Sequence, residues 1–123
     1  MANITPIFIP GLLCTEWLFN GQADIASGMA VYADTQKHDT ITGMAEAALA
    51  RTSGQLLPIG LSMGGYVALE MARLAPARIS AMTLFSTNCR RDNDEQRAYR
   101  VQAIKLAQQR GFRGVTRQFL DKF

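Results

Sequence analysis

Residues 55–65 read QLLPIGLSMGG, and this stretch decides the fold. The apolar run from Gln55 to Gly60 predicts a buried strand, and the small-residue stretch after Gly65 predicts a helix that ends before Pro76. Between them, Ser62 is the serine of a G-x-S-x-G pattern. The stretch therefore predicts a sharp turn from a strand into a helix, with a serine at its tip.

The residue types at this turn fit a nucleophilic serine. The serine must adopt a strained backbone conformation for its hydroxyl to project above the sheet edge, and side chains two positions away on either side would collide there. Glycine at positions 60 and 64 removes that collision. The following helix favours developing negative charge at its N-terminus, where the Met63 amide is placed to donate to an oxyanion. The alternative is an ordinary turn serine that caps the helix.

Strands and helices are predicted to alternate along the rest of the chain. Apolar runs at 4–10, 29–33 and 79–86 predict three more strands, and the last is expected to be buried on both faces. Helices are predicted from Trp17 to Gly28 and from Ile41 onwards. This order favours parallel β-α-β units with helices on both faces of the sheet.

Details at three places complete this prediction. Asp39 or Thr40 is expected to cap the helix that begins at Ile41, and Gly54 suits its left-handed exit. Pro58 is disfavoured in a central strand, so a bulge or a shortened strand should accommodate it. In the tail, we expect an Asp92–Glu95 capping box, a helix that ends at Gly111 and a final short helix. The tail residues expected to face inward are Ala98, Val101, Ile104, Ala107, Val115, Phe119 and Leu120.

Composition and charge limit the classes of protein to which this chain can belong. The chain has 123 residues, 48% of them hydrophobic, which suffices for one core. Residues 1–89 carry four basic and six acidic side chains and residues 90–123 carry nine and four, so the formal charges are −2 and +5. The basic tail is interpreted as a solvated helix face, so no nucleic acid is expected as a partner. No apolar run approaches the ~20 residues of a membrane span, and we expect a cytoplasmic protein without a membrane partner.

The two cysteines, Cys14 and Cys89, match no metal-ligand spacing and are expected to be free thiols. We expect neither a metal nor a cofactor.

The sequence resembles the α/β-hydrolase superfamily, specifically its small esterase and thioesterase-like members. The resemblance rests on Pro-Gly-Leu-Leu at 10–13 and Gly-Leu-Ser-Met-Gly-Gly-Tyr at 60–66, and it spans the whole chain. It implies a parallel-sheet, three-layer α/β-hydrolase fold that is truncated to about four strands with flanking helices. Residues 1–89 would form the core of one domain, and residues 90–123 would begin a helical cap.

The resemblance also implies roles for particular residues. Gly11 matches the glycine of the oxyanion loop, and the amides of Leu12 and Met63 match the two oxyanion donors. Ser62 matches the nucleophile, and Pro10 stands where many members have histidine. Leu13 and Trp17 are expected to line the pocket.

In that family the acid and then the histidine of the triad follow the serine, but no histidine follows Ser62. The only histidine is His38, in a polar loop at the same predicted sheet edge. The isolated chain is therefore expected to be nearly inactive, and the bare edge of strand 79–86 is expected to recruit the missing C-terminal half or a swapped partner chain.

Three functions remain open from the residues. The first is hydrolysis of a small carboxylic ester or thioester through a Ser62 acyl-enzyme. The second is C–C bond hydrolysis, elimination or perhydrolysis at the same site, and the third is a non-catalytic binding scaffold.

Overall fold

The computed structural model describes residues 3–26, 28–112, 114 and 117, and in the 23–26 segment it describes the backbone only. The chain divides into two compact units, residues 1–89 and 90–123, which are described separately below.

The first unit is built on a four-stranded sheet. Its strands are β1 (Ile4–Ile9), β2 (Val31–Tyr32), β3 (Gln55–Leu61) and β4 (Thr83–Phe85), in the order β2-β1-β3-β4. All three strand pairs are parallel. The predicted parallel α/β class is confirmed.

The connections between strands follow the predicted crossover rule. A 3₁₀ helix (Glu16–Ala26) joins β1 to β2, α1 (Ile41–Ala50) joins β2 to β3, and α2 (Met63–Leu74) follows β3. The first connection runs in the opposite direction across the sheet from the other two, so right-handed crossovers place the 3₁₀ helix on one face and α1 and α2 on the other. The first helix was predicted as an ordinary helix, but Asn20 and Gly21 in its middle are poor α-helix formers.

Alternate residues of β1 and β3 bury opposite faces of the sheet. Ile7, Ile9 and Leu56 are fully buried against α1 and α2. On the other face, the Phe8 ring lies 4.9 Å from the Phe19 ring of the 3₁₀ helix and 5.6 Å from the Tyr32 ring. The helix residues in the core are Met44, Ala45, Ala48, Val67, Ala68 and Met71.

The ends of α1 are closed by specific hydrogen bonds. Thr40 caps its start, because the Thr40 hydroxyl accepts from the Gly43 amide at 3.0 Å, as predicted for that residue. At its end, Arg78 donates to the carbonyls of Leu49 (3.1 Å), Thr52 (2.8 Å) and Gly54 (3.1 Å) and to the Thr52 hydroxyl (3.1 Å). One guanidinium group therefore fixes the whole connection from α1 to β3.

Pro58 lies in β3 at a gap in the ladder towards β4. Leu56 pairs with Ile79 in an isolated bridge, and the regular pairing resumes between Ile59 and Thr83. Ile59 is three residues after Leu56, whereas Thr83 is four residues after Ile79, so one residue on the β4 side has no counterpart in β3. The Leu56 carbonyl and the Ser62 amide both make hydrogen bonds on the β4 side of β3. Pro58 is an even number of residues from both, so its nitrogen faces the same side. The missing N–H of Pro58 therefore falls in the gap between the two ladder segments, and β3 continues through the proline without a break.

β4 is shorter and more exposed than predicted. The expected strand 79–86 is reduced to Thr83–Phe85, and Leu84 and Phe85 are 40% and 51% exposed. The expectation of burial on both faces was wrong, because Leu84 and Phe85 point to opposite faces of the sheet and both are exposed.

In the second unit, α3 spans Asp94–Arg110. Its capping box is formed by Asn93 and Gln96 and not by the predicted pair one residue earlier, since the Asp92 carboxylate instead accepts from Arg100 at 2.7 Å. The predicted inward face is also wrong: Ala98, Val101 and Ile104 are exposed, and Ala107 is only half-buried. Apolar residues lie all around this helix, so no single stripe can be buried. Val115, Phe119 and Leu120 fall outside the described residues.

Candidate functional site

Ser62 lies at the turn between β3 and α2 in a conformation that L-residues rarely adopt. Its φ is 52° and its ψ is −114°, and its side chain makes no capping hydrogen bond to α2. The residue is exposed. An ordinary N-cap serine has extended backbone angles and accepts from the helix amides, so Ser62 does not act as the helix cap.

Hydrogen bonds from outside the turn hold this conformation. The Ser62 amide donates to the Phe85 carbonyl at 2.9 Å. Its carbonyl accepts from the Gly65 amide at 2.9 Å and from the Thr87 hydroxyl at 2.9 Å. Both backbone groups of the residue are thereby satisfied, which offsets the cost of the strained φ. Strand β4 and the segment after it therefore act as a brace for the serine.

The glycines of the turn are required by the close approach of backbone atoms. A Cβ at Gly60 would collide with the Gly64 carbonyl and lie 2.8 Å from the Gly65 nitrogen. A Cβ at Gly64 would collide with the Ile9 carbonyl and lie 2.8 Å from the Pro10 oxygen. These are the two positions at which the sequence predicted a collision, and backbone atoms cannot move aside as a side chain can.

The loop after β1 lies directly against the turn. A Cβ at Gly11 would be 3.6 Å from the Ser62 Cβ and 3.4 Å from the Leu61 carbonyl. The loop then makes a tight turn, in which the Cys14 amide donates to the Gly11 carbonyl at 3.1 Å and Leu13 has a φ of 61°. The end of β1 and the end of β3 are therefore brought together, as predicted.

Two backbone amides next to this turn, those of Leu12 and Met63, make no hydrogen bond within the described part of the chain. Among the described residues, the Leu12 amide has no acceptor. The Met63 amide belongs to the first turn of α2, where amides have no acceptor within the helix. Leu12, Leu13 and Trp17, which follow β1 in the sequence, are 59%, 52% and 76% exposed.

The structure does not bring His38 to the serine. His38 is exposed, and its Nδ1 would lie 3.4 Å from a Cβ at Gly43, in the first turn of α1. The neighbouring Thr42 hydroxyl donates to Glu70 at 2.7 Å. Glu70 is seven residues after Met63, which is about 10 Å along α2. Of the side chains that the structure describes, no imidazole or carboxylate is hydrogen-bonded to Ser62.

Glu70 is the first acid after Ser62 in the sequence, but its carboxylate is already engaged. Arg73 donates to both of its oxygens at 2.8 Å, and Thr42 donates to one of them. The hydrogen bonds from Arg73 and then Thr42 lower the pKa of Glu70 to about 2. This carboxylate joins α1 to α2 and is not oriented towards the turn.

Sequence reasoning missed Thr87 and Arg78. Thr87 fixes the Ser62 carbonyl, and its side chain also fills the space against which a Gly65 Cβ would collide. Their partners lie more than 20 residues away, so no local spacing marks them. A lone arginine or threonine in a loop carries no other signal.

Three further features concern the cysteines, metal ligands and membrane-spanning helices. Cys14 and Cys89 are both free thiols, as predicted. Within the part of the chain that the structure describes, no three His, Cys, Asp or Glu side chains cluster closely enough to hold a metal ion. Over the same residues, no helix is both long and apolar enough to cross a bilayer.

Comparison with known proteins supports the fold. A thermophilic esterase from Thermogutta terrifontis, solved with malate bound, superposes with a TM-score of 0.72 at 22% sequence identity. The match covers 89% of this chain and 46% of the esterase chain, so this chain spans about half the length of that protein. The fold is α/β-hydrolase-like. No family model matches the sequence, and no curated protein does.

Proposed function

We propose that this chain carries the nucleophile of a serine hydrolase that acts on small carboxylic esters or thioesters. The observation that carries the proposal is the exposed Ser62 at a φ of 52°, between a parallel strand and a helix, with glycines on both sides of it at points of backbone contact. β1 and β3 are also adjacent strands whose following helices lie on opposite faces of the sheet. In open α/β sheets, ligands bind at the carboxyl end of such a pair.

In the proposed reaction, the Ser62 hydroxyl attacks the acyl carbon while a general base removes its proton. The amides of Leu12 and Met63 stabilise the oxyanion of the tetrahedral intermediate. The C–O or C–S bond then breaks, and the leaving alcohol or thiol takes the proton. Water hydrolyses the acyl-enzyme and releases the acid. The exposed Leu12, Leu13 and Trp17 side chains would contact an apolar part of the substrate.

The described residues supply neither a general base nor its acid partner next to Ser62. The proposal therefore requires a base from the rest of the fold, since the chain covers about half of its esterase neighbour. Loss of the base from a triad typically lowers kcat by about 10⁴ to 10⁶. An exogenous base should restore part of the reactivity if the serine and the oxyanion donors are in place.

We expect a fluorophosphonate probe to label the 123-residue chain slowly, and imidazole in the buffer to accelerate labelling. The adduct should map to Ser62 by peptide mass spectrometry, and Ser62→Ala should abolish it. Ser86→Ala is a matched control, because Ser86 is also exposed and has a φ of 47° after a strand but lacks the flanking glycines. Labelling that persists in Ser62→Ala, or an adduct elsewhere in the chain, would contradict the proposal.

We propose further that β4 is covered by more polypeptide in the working protein, from a C-terminal half of the same protein or from a swapped second copy. β4 braces Ser62 through Phe85, yet Leu84 and Phe85 are 40% and 51% exposed. Exposed apolar edge strands recruit further strands.

The 123-residue chain by itself is therefore expected to self-associate. Sedimentation velocity should show dimers or larger species, and Leu84→Lys, which places a charge on the edge strand, should reduce them. A single monomeric species of the unaltered chain across micromolar concentrations would contradict this proposal.

A further inference from the structure

A cavity of about 450 Å³ opens beside the loop that follows β1. It lies where β1 and β2 end, and Ser62 does not line it. Cys14 lines it, and the Cys14 sulfur would be 3.9 Å from a Cβ at Gly11, the glycine that faces Ser62. The volume is within the range of about 300–1,000 Å³ that is typical of small-molecule sites.

The wall of this cavity includes Thr35, a mostly buried residue whose hydroxyl has no hydrogen-bond partner among the described residues. Thr35 is 6% exposed. Among the described residues, every fully buried side-chain nitrogen or oxygen has a hydrogen-bond partner. The Thr35 hydroxyl has none, so it is not fully buried and is accessible from the cavity. A hydroxyl that is accessible from the cavity bonds to water there, and a hydroxyl of a ligand can take the place of that water.

The charges around the cavity cancel. Glu16 and Asp34 are acidic, and Lys37 and Arg51 are basic, so the lining has no net formal charge. The Lys37 ammonium lies 3.0 Å from Asp34, and this hydrogen bond holds the pKa of Asp34 below its usual value. The lining thus offers donors and acceptors together without a net field to attract an ion.

We propose that this cavity is a binding site for a small uncharged polyol, such as a monosaccharide or glycerol. Each hydroxyl of a polyol both donates and accepts, which matches a lining of two carboxylates, two cationic groups and the hydroxyls of Tyr32 and Thr35. The half-buried Tyr32 contributes the apolar part of the lining, which the carbon face of a polyol would contact. This site does not depend on the chemistry proposed for Ser62.

Two-dimensional NMR of the ¹⁵N-labelled chain tests the proposal. Titration with glucose or with glycerol should give saturable shifts at the amides of residues 14–16 and 32–37. Thr35→Val, which keeps the shape and removes the hydroxyl, should weaken binding about tenfold. Thr83→Val makes the same change in β4, at the other edge of the sheet, and should leave the affinity unchanged. If Thr35→Val does not fold, Tyr32→Phe, which keeps the ring stacked on Phe8, should weaken binding in its place.

Three results would overturn the proposal: no saturable shift with either polyol, stronger binding of acetate or glycine at the same amides, or wild-type affinity in the folded Thr35→Val and Tyr32→Phe chains. None of these measurements involves Ser62. The polyol titration and the fluorophosphonate labelling therefore test the two proposals separately, and either can fail without the other.

Discussion

Gly64→Ala is expected to destabilise the protein by about 3 kcal/mol or more, enough to unfold a marginally stable domain. The added Cβ would collide with the Ile9 carbonyl and lie 2.8 Å from the Pro10 oxygen. Both obstacles are backbone atoms in or next to the fully buried end of β1, so they can move only if β1 and α2 separate. Urea denaturation followed by circular dichroism measures the loss.

Two other glycines separate the effect of space from the effect of backbone conformation. A Cβ at Gly21 or at Gly54 would have no neighbour within 4 Å, but Gly54 has a φ of 69°. Gly21→Ala should therefore be close to neutral, and Gly54→Ala should cost about 1 kcal/mol for its left-handed conformation. If Gly64→Ala is no more destabilising than Gly54→Ala, the close contact between α2 and β1 is not as described.

Arg78→Met is expected to cost about 2–3 kcal/mol of unfolding free energy. The guanidinium makes four hydrogen bonds, and three of them go to carbonyls of the α1–β3 connection (Leu49, Thr52 and Gly54). Without it, carbonyls at the end of α1 lose their charged donors. Arg78→Lys should recover less than half of the loss, because a single ammonium cannot reach four acceptors spread along the connection.

Arg73→Met is the matched control for Arg78. Arg73 is also paired, to Glu70 at 2.8 Å, but its side chain is 65% exposed, and solvent screens such a pair. Its replacement should lower the urea midpoint far less than that of Arg78. Equal losses at the two positions would show that the hydrogen bonds of Arg78 add nothing beyond a surface charge.

Much of the first unit could be predicted from local pattern. The G-x-S-x-G stretch gave the strand, the turn and the helix, because glycine spacing and apolar periodicity are properties of neighbouring residues. A cap at Asp39 or Thr40 was predicted for the same reason, and Thr40 is the residue that caps the helix. In the tail, the capping box was displaced by one residue, because Asp92 and Asn93 can both cap a helix and only the ion pair of Asp92 with Arg100 decides between them.

The exposure of β4 and the partners of Ser62 could not be predicted in this way. Whether Leu84 and Phe85 are buried depends on which chains lie beside β4, and the residues within the strand do not determine that. The bond from Thr87 to the Ser62 carbonyl joins residues that are 25 positions apart. The cavity around Thr35 likewise depends on how the loops after β1 and β2 approach each other.

The sequence by itself determined the order of strands and helices, the parallel α/β class and the position of the serine at the turn, because these depend on periodicity and on where glycine is tolerated. The tertiary structure decided that Ser62 is braced by Phe85 and Thr87, that His38 lies at α1 and away from the serine, and that a polar cavity opens where β1 and β2 end. Those features arise from contacts between segments distant in sequence, whose geometry only the packed sheet and helices fix.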